Sequence, residues 1–338
     1  MKIVLDGMGS DQYPAPEIQA AVEAARLYGD EVILTGNHDL LAPALAALKP
    51  GNLPVRIVHA PDVLEMEEKA VESSRKKPQN SMAVGLELVK KGEAQAFITA
   101  GNTGAAMFNS LRILGRIKNV QRPALTALFP VKNGHCVVLD IGANADCRPE
   151  YLAQFGVMGS LYAEKVLKVT NPRVGLLSNG EEAGKGNDLV KHAFPLLKAS
   201  SLNFIGNVES KELFGGHVDV VVTDGFTGNI LLKTSESVAR MLTDILKEEL
   251  AASFATKIGA LLAKPVFVKL KKTMDPGEIG AAPLLGIDGL VFIGHGRSDA
   301  RALTNAFRVV REAVQVNLLA ALQVNLQEST TSIITPEK

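Results

Sequence analysis

Short apolar runs alternate with longer stretches whose apolar positions recur at helical spacing through most of the chain. The pattern predicts a strand over 2–5, then a helix over 17–28 entered behind Pro14 and Pro16. A strand over 31–35, a helix over 39–48 and a strand over 55–59 follow. Alternation of this kind implies parallel strands covered by helices on both faces. Residues 65–80 form a polar connection carrying Arg75, Lys76 and Lys77, read either as a solvated face or as an anion or carrier-protein contact. A helix over 81–91 and a strand over 94–99 come next. Strands over 124–130 and 135–140 pair about the turn Lys132-Asn133-Gly134. The order continues with a helix over 151–166, a strand over 173–177, a helix over 188–197 and a buried strand over 218–222. Beyond these lie a helix over 235–252, a mixed segment over 256–274, a loop over 280–285, a strand over 289–293 and a helix over 300–322. The tail, 327–338, is polar and expected to fray. No linker separates two cores, so the expectation is one α/β/α domain over 1–338 with a helical tip at 235–280.

Glycine-bearing polar turns close several of the strands. Asp224-Gly225-Phe226-Thr227-Gly228-Asn229 stands between two apolar runs, where its glycines let backbone approach a ligand and Thr227 and Asn229 offer neutral hydrogen bonds. Similar turns run from Asp6 through Gly9 to Asp11, from Gly101 through Asn102 and Thr103 to Gly104, and from Asp140 through Asn144 to Asp146. Another carries Asn179, Glu181, Lys185 and Asn187, and the last runs from Gly294 through His295 to Ser298. Open α/β sheets bind ligands outside the carboxyl ends of their strands. One such turn is an ordinary loop; several converging on one crevice make a site. Lys185, the lone cation of its loop, is either solvated or an anion holder helped by the N–H groups of flanking glycines. His295 either moves a proton or is structural.

Composition narrows the choices. The chain has 338 residues, 46% of them hydrophobic, with 36 basic and 36 acidic side chains and a formal charge of zero. That balance gives no global attraction to nucleic acid. Two cysteines, Cys136 and Cys147, make neither a disulfide framework nor a zinc site, and no run of about 20 apolar residues is present. The expected setting is a reducing cytoplasm. Neither GxxxxGK[ST] nor GxGxxG with a following acid occurs, which weighs against a nucleotide cofactor. Segment 256–274 differs from the rest: Leu261, Leu262, Val266 and Phe267 mix with Lys257, Lys264, Lys269, Lys271 and Lys272 and no acid. It suits an anionic membrane surface, a dimer interface, or both.

Five stretches carry a family resemblance: ITAGNTGAAM from Ile98, LDIGANADCRPEYLAQFGVMGSLYAE from Leu139, LLSNGEEAGKGN from Leu176, TDGFTGNILLK from Thr223 and GAAPLLGIDGLVFIGHGRSDA from Gly280. Together they resemble the bacterial phosphate acyltransferase of phospholipid synthesis over about residues 1–325. The resemblance implies a mostly parallel α/β/α fold of the isocitrate/isopropylmalate dehydrogenase-like or phosphotransacetylase-like kind, a homodimer, and peripheral membrane attachment near 253–275. It further implies acyl-carrier protein and inorganic phosphate as substrates, acyl phosphate as product, a downstream glycerol-3-phosphate acyltransferase as partner, and neither cofactor nor metal. Where the family's first loop reads DAMGGDHAP, this chain reads DGMGSDQYP, and Gln12 cannot shuttle a proton as histidine would. For that chemistry Lys185 and loop N–H groups are expected to bind phosphate, Asn229 to donate to the thioester oxygen, and His295 or a water to assist the leaving thiolate. Asp6, Gly9, Asp11, Gly101, Asn102, Thr103, Gly104, Asn144, Asp146, Asn179, Glu181, Asn187, Asp224, Gly225, Phe226, Thr227, Gly228 and Ser298 shape the substrate crevice. A coenzyme A-dependent phosphate acetyl- or butyryltransferase and a non-catalytic membrane scaffold are the alternatives. A nicotinamide-dependent decarboxylating dehydrogenase would want a cluster of metal-binding aspartates and arginines, which the sequence does not show.

Overall fold

Strand β1 (Lys2–Asp6) pairs in parallel with β2 (Glu31–Gly36), and β2 with β3 (Val55–His59), through the crossovers α1 (Ala15–Tyr28) and α2 (His38–Ala47). The computed structural model describes residues 1–132 and 134–334, without the side chains of Lys271, Pro276 and residues from 328 onward. Inside the connection read as irregular lies a seven-residue helix, α3 (Ala70–Lys76), which buries only Ser74 and so has no apolar period to announce it. Helix α4 (Ser81–Lys90) begins where the Asn80 side chain accepts the Ala83 N–H at 2.9 Å, and β4 (Ala96–Thr99) leads into α5 (Thr103–Ile113). The expected hairpin joins β5 (Ala124–Val131) to β6 (Gly134–Leu139) in antiparallel register; its Asn133 lies outside the described residues.

Helix α6 (Pro149–Lys165), β7 (Val174–Leu177) and α7 (Asp188–Ala199) follow as expected. Strand β8 (Phe204–Val208) and helix α8 (Ser210–Gly215) were not evident in the apolar pattern, because both are short and only half buried. After β9 (Val220–Val222), the segment read as a glycine turn is instead the opening of α9 (Gly225–Ala251), a 27-residue helix capped by Asp224. An antiparallel partner, α10 (Phe254–Met274), packs along it. The expected loop 280–285 is a strand, β10 (Ala281–Leu285), with Pro283 in its middle. Strand β11 (Leu290–Gly294) is followed by two helices rather than one, α11 (Ala300–Gln315) and α12 (Leu318–Ile334), broken where Asn317 takes φ +54°. Of the tail expected to fray, 327–334 belong to α12 and 335–338 lie outside the described residues.

The eleven strands among the described residues form one sheet in the order β3-β2-β1-β4-β11-β10-β5-β6-β9-β7-β8. Neighbours from β3 to β11 are parallel, as are those from β6 to β8. Between the halves β10 is antiparallel to β11 and to β5, and β5 to β6. Three reversals leave the halves running in opposite directions. One face is covered by α1, α6, α7, α11 and α12 over a core holding Phe155, Tyr162, Phe292 and Phe307. The other is covered by α4 and α5 over β1, β4 and β11, and by α8 and α9 over β5 and β6.

Candidate functional site

The opposed halves change how the turns meet. Those after β1, β4 and β11 leave one direction of the sheet; those after β6, β7 and β9 leave the other. The expected single rim of strand ends is therefore two rims, and α9 starts on the second.

The first rim is built on Asp6. Its carboxylate is wholly buried, accepting from Thr99 Oγ1 at 2.7 Å and Met8 N at 3.1 Å, and burial raises it above the usual aspartate range. Gly9 lies against the backbone of Ala100 and Gly101, where a Cβ would come within 3.0 Å of both amide nitrogens. Asp11 N donates to Gly296 O at 2.8 Å, and His295 N to Ser298 Oγ at 3.1 Å, so the loops after β1 and β11 lock together. Asn102 is spent on structure: its Oδ1 caps α5 at Ala105 N, 3.0 Å, and its Nδ2 donates to Met66 O at 2.8 Å. Thr103 is exposed and Gly104 half-buried at that helix start.

Behind this rim stands a residue the sequence reading passed over. Glu17 is buried, accepts Ser10 N at 2.8 Å through Oε1, and has no partner for Oε2 among the described residues. Burial is the main cause that pushes its carboxyl up to about 7, with a smaller contribution from Asp6. Between its ordinary value of 4.5 and about 7, the folded chain keeps a proton that the unfolded chain releases. Its stability contribution is therefore full below 4.5 and lost as pH rises through 7. Glu17→Gln, which keeps an acceptor for Ser10 N but cannot ionise, should melt above wild type at pH 8, by up to about 3 kcal/mol, and converge with it near pH 5. A melting difference independent of pH would contradict this.

The second rim is built on Asp140. Its carboxylate accepts five N–H groups, from Leu125 N, Gly142 N, Ala143 N, Asn144 N and Asn144 Nδ2, at 2.7–3.1 Å. Asn144 O in turn accepts Gly225 N at 2.8 Å, seating the start of α9 on the β6 loop. Asp224 caps that helix, accepting Thr227 N and Thr227 Oγ1, each at 2.8 Å. Gly225 and Gly228 are buried against the loop, whereas Phe226 is 63% exposed and Thr227 and Asp146 are exposed. Asn229 is exposed, its amide makes no hydrogen bond among the described residues, and its side-chain carbons lie about 4 Å from the Cβ position of Gly142. It is a free donor held over a glycine.

One turn further along α9, Lys233 shares the face of Asn229, and Glu236 extends it. Lys233 reaches Glu236 at 3.3 Å. The His295 side chain is exposed, yet partial desolvation first and the Lys233 charge next hold its imidazole below its ordinary value, with Glu236 opposing. It is therefore neutral near pH 7. Lys233 was a missed candidate, although its four-residue spacing from Asn229 was legible once a helix replaced the turn.

Lys185 stands on a third element, the loop after β7, whose strand neighbours β9 and runs parallel to it. Its side chain is exposed and unpaired among the described residues. Asn179 Oδ1 accepts Gly186 N at 2.9 Å and Asn187 Oδ1 caps α7 at Val190 N, so both brace the loop. Glu181 pairs with Lys211 at 2.8 Å. No described hydrogen bond joins this loop to the Asp224–Asn229 segment, although both leave the same rim of the sheet.

These features define a three-layer α/β/α protein with its candidate site between two sheet halves. In fold the chain is similar to the EutD phosphotransacetylase from Staphylococcus aureus, with a TM-score of 0.60 at 15% identity over 94% of both chains. It is also similar to a phosphotransacetylase from Streptococcus pyogenes, with a TM-score of 0.59 at 17% identity over 94% of both. The family model described as fatty acid synthesis protein matches residues 1–321, and the chain belongs to that family. It is 50% identical over 311 residues to a phosphate acyltransferase from Acidobacterium capsulatum, covering 92% of each. To a phosphate acyltransferase from Pelotomaculum thermopropionicum it is 46% identical over 327 residues, covering 97% of this chain and 95% of that one.

Proposed function

We propose that this protein is a phosphate acyltransferase that moves a long-chain acyl group from an acyl-carrier-protein thioester to inorganic phosphate, supplying acyl phosphate to a glycerol-3-phosphate acyltransferase. The observation that carries this reading is identity of 43–50% over most of the chain to proteins named phosphate acyltransferase. The site chemistry agrees with it. A phosphate oxygen attacks the thioester carbon, the C–S bond breaks, and the proton carried by hydrogen phosphate ends on the departing thiolate, so neither a strong base nor an external reductant is called for. Positioning and charge stabilisation carry the barrier reduction. Asn229 Nδ2 donates to the carbonyl oxygen as negative charge gathers there. Lys185, with Lys233 as a second cation, holds the phosphate. Neutral His295 accepts a proton on one ring nitrogen and donates from the other.

A covalent acyl-cysteine route is disfavoured. Cys147, whose Sγ lies 3.6 Å from Asn144 O, is pushed up to about 12, chiefly by burial and then by Asp140. Its thiolate is scarce at neutral pH. The test is phosphate-dependent release of free thiol from palmitoyl-carrier protein, with short acyl-coenzyme A as the comparison substrate. Lys185→Ala should raise the phosphate KM roughly tenfold to a hundredfold, the value of a charged hydrogen bond. A wild-type protein that releases no thiol, or a variant with unchanged phosphate KM, would overturn the respective assignment.

No described helix is long and apolar enough to cross a membrane. The α9–α10 hairpin nonetheless exposes Leu261 at 70%, Leu262 at 78% and Val266 at 67%, with Phe267 half-buried beside them. In this reading α10 rests on the anionic inner face of the cell membrane, and the apolar stripe of Met241, Leu242 and Ile245 on α9 meets a second copy of the chain. Leu261→Asp with Leu262→Asp should lower binding to phosphatidylglycerol-containing vesicles at least tenfold, since each buried leucine contributes about 1.5–3 kcal/mol. Unchanged co-sedimentation would remove the tip from the membrane.

A further inference from the structure

Beside the second rim runs a strip of positive charge that the acyl-transfer chemistry leaves unused. Residues 110–123 contain Arg112, Arg116, Lys118 and Arg122 and no acid, in a chain of zero formal charge. All four cations are exposed. Arg112 reaches Asn109 Oδ1 at 3.1 Å and Arg116 the main-chain oxygen of Gln121, while Lys118 and Arg122 have no side-chain partner among the described residues. Asp288 N donates to Gly115 O at 3.1 Å, and the Asp288 carboxylate already accepts Gln323 Nε2 at 2.7 Å.

The strip is preformed. Ile117 N donates to Gly286 O at 3.0 Å, Gln121 N to Gln154 Oε1 at 2.9 Å, and Gln154 Nε2 to Asn119 O at 2.8 Å. Docking against it costs little ordering entropy. Arg116 and Arg122 border a groove of about 570 Å³ together with Asn119, Gln121 and Tyr151. That groove opens next to the reacting groups: Pro123 O accepts Asn144 Nδ2 at 2.7 Å, and Asn144 O accepts the first N–H of α9, the helix of Asn229.

We propose that this strip is the docking surface for an acidic carrier protein, which seats there and passes its thioester arm to Asn229; the proposal rests on the acyl-transfer reading above. A cationic surface beside a reaction centre raises the encounter rate with an anionic partner and fixes its orientation. An anionic lipid surface would match the charge but not the rest, because interfacial binding needs apolar side chains to insert. Residues 110–123 contribute none of the large exposed hydrophobics, which gather instead on α9 and α10. Charge without an apolar ridge fits a protein partner.

The experiment compares palmitoyl-carrier protein with the palmitoyl thioester of N-acetylcysteamine, which has no carrier to dock. Lys118→Glu with Arg122→Glu should raise the carrier-protein KM about tenfold or more and flatten its rise with salt, leaving kcat and turnover of the carrier-free thioester within about twofold. Lys118→Gln with Arg122→Gln should fall between this variant and wild type, and equal melting temperatures exclude a folding artefact. A carrier-protein KM within about twofold of wild type overturns the proposal, as does an equal rise for both thioesters. Loss of anionic-vesicle binding with unchanged carrier KM overturns it in favour of lipid. Wild-type protein inactive on both thioesters overturns the acyl-transfer reading, a result distinguishable from failure of the docking surface alone.

Discussion

Replacing Asn229 by Ala should lower kcat for acyl phosphate formation by about a hundredfold to a thousandfold, the usual loss when one oxyanion donor is removed. Asn229 is exposed on the first turns of α9, its amide is uncommitted, and Gly142 beneath it has no side chain to fill the space over the β6 loop. A carbonyl oxygen placed there meets a donor that needs no reorganisation. Because the donor matters most as charge develops, the loss should fall on kcat more than on the KM for either substrate. Asn229 caps nothing and braces no loop among the described residues, so the variant should melt with wild type. Near-normal turnover in a folded Asn229→Ala protein would remove this residue from the reaction.

Gly228→Ala should be more damaging than its single methyl implies. A Cβ at that position would overlap the main-chain oxygen of Asp140, and the neighbouring Gly225 is as tightly placed, its own Cβ position 2.6 Å from Asn144 O. Neither obstacle is a flexible side chain. Backbone must move, and the backbone in question is the loop ordered by four hydrogen bonds to the Asp140 carboxylate. Overpacking of this kind costs about 3 kcal/mol or more where nothing can yield. The variant should unfold at lower denaturant concentration and lose activity together, as α9 lifts from the β6 loop and carries Asn229 out of place. Thermal melting within a degree of wild type, with full turnover, would show that the contact relaxes freely.

Much of the architecture was legible because parallel strands and covering helices impose different apolar periods. β1, β2, β3 and the hairpin of β5 and β6 all lie where the pattern put them. What escaped did so for physical reasons. The start of α9 looked like a turn because Gly225 and Gly228 are poor helix formers, yet they are there for close backbone approach rather than for turning. β10 looked like a loop because Pro283 interrupts it and Gly280 and Gly286 flank it, although a short antiparallel strand tolerates a proline. The opposed direction of the sheet halves has no local signal at all, since strand direction is set by partners distant in sequence. The candidate site was therefore legible as a set of loops and not as an arrangement. Asn102, Asn187 and Asp224 proved to be helix caps, whose side-chain oxygens are already committed. Lys233 and Glu17 were overlooked because a lysine on a helix and an acid in a first turn are unremarkable until burial and neighbours are seen.

The pairing of β4 with β11 bears on how the chain emerges from the ribosome. Thr99 closes β4 and Leu290 opens β11, so 290 − 99 = 191 positions separate an edge from the strand that covers it. At about 5–20 residues per second, that edge waits on the order of 10–40 seconds during synthesis. A bare parallel edge is a template for a neighbouring nascent chain. Chains cut short before residue 290 should accordingly collect in inclusion bodies, whereas those that reach the last strand seal their own seam.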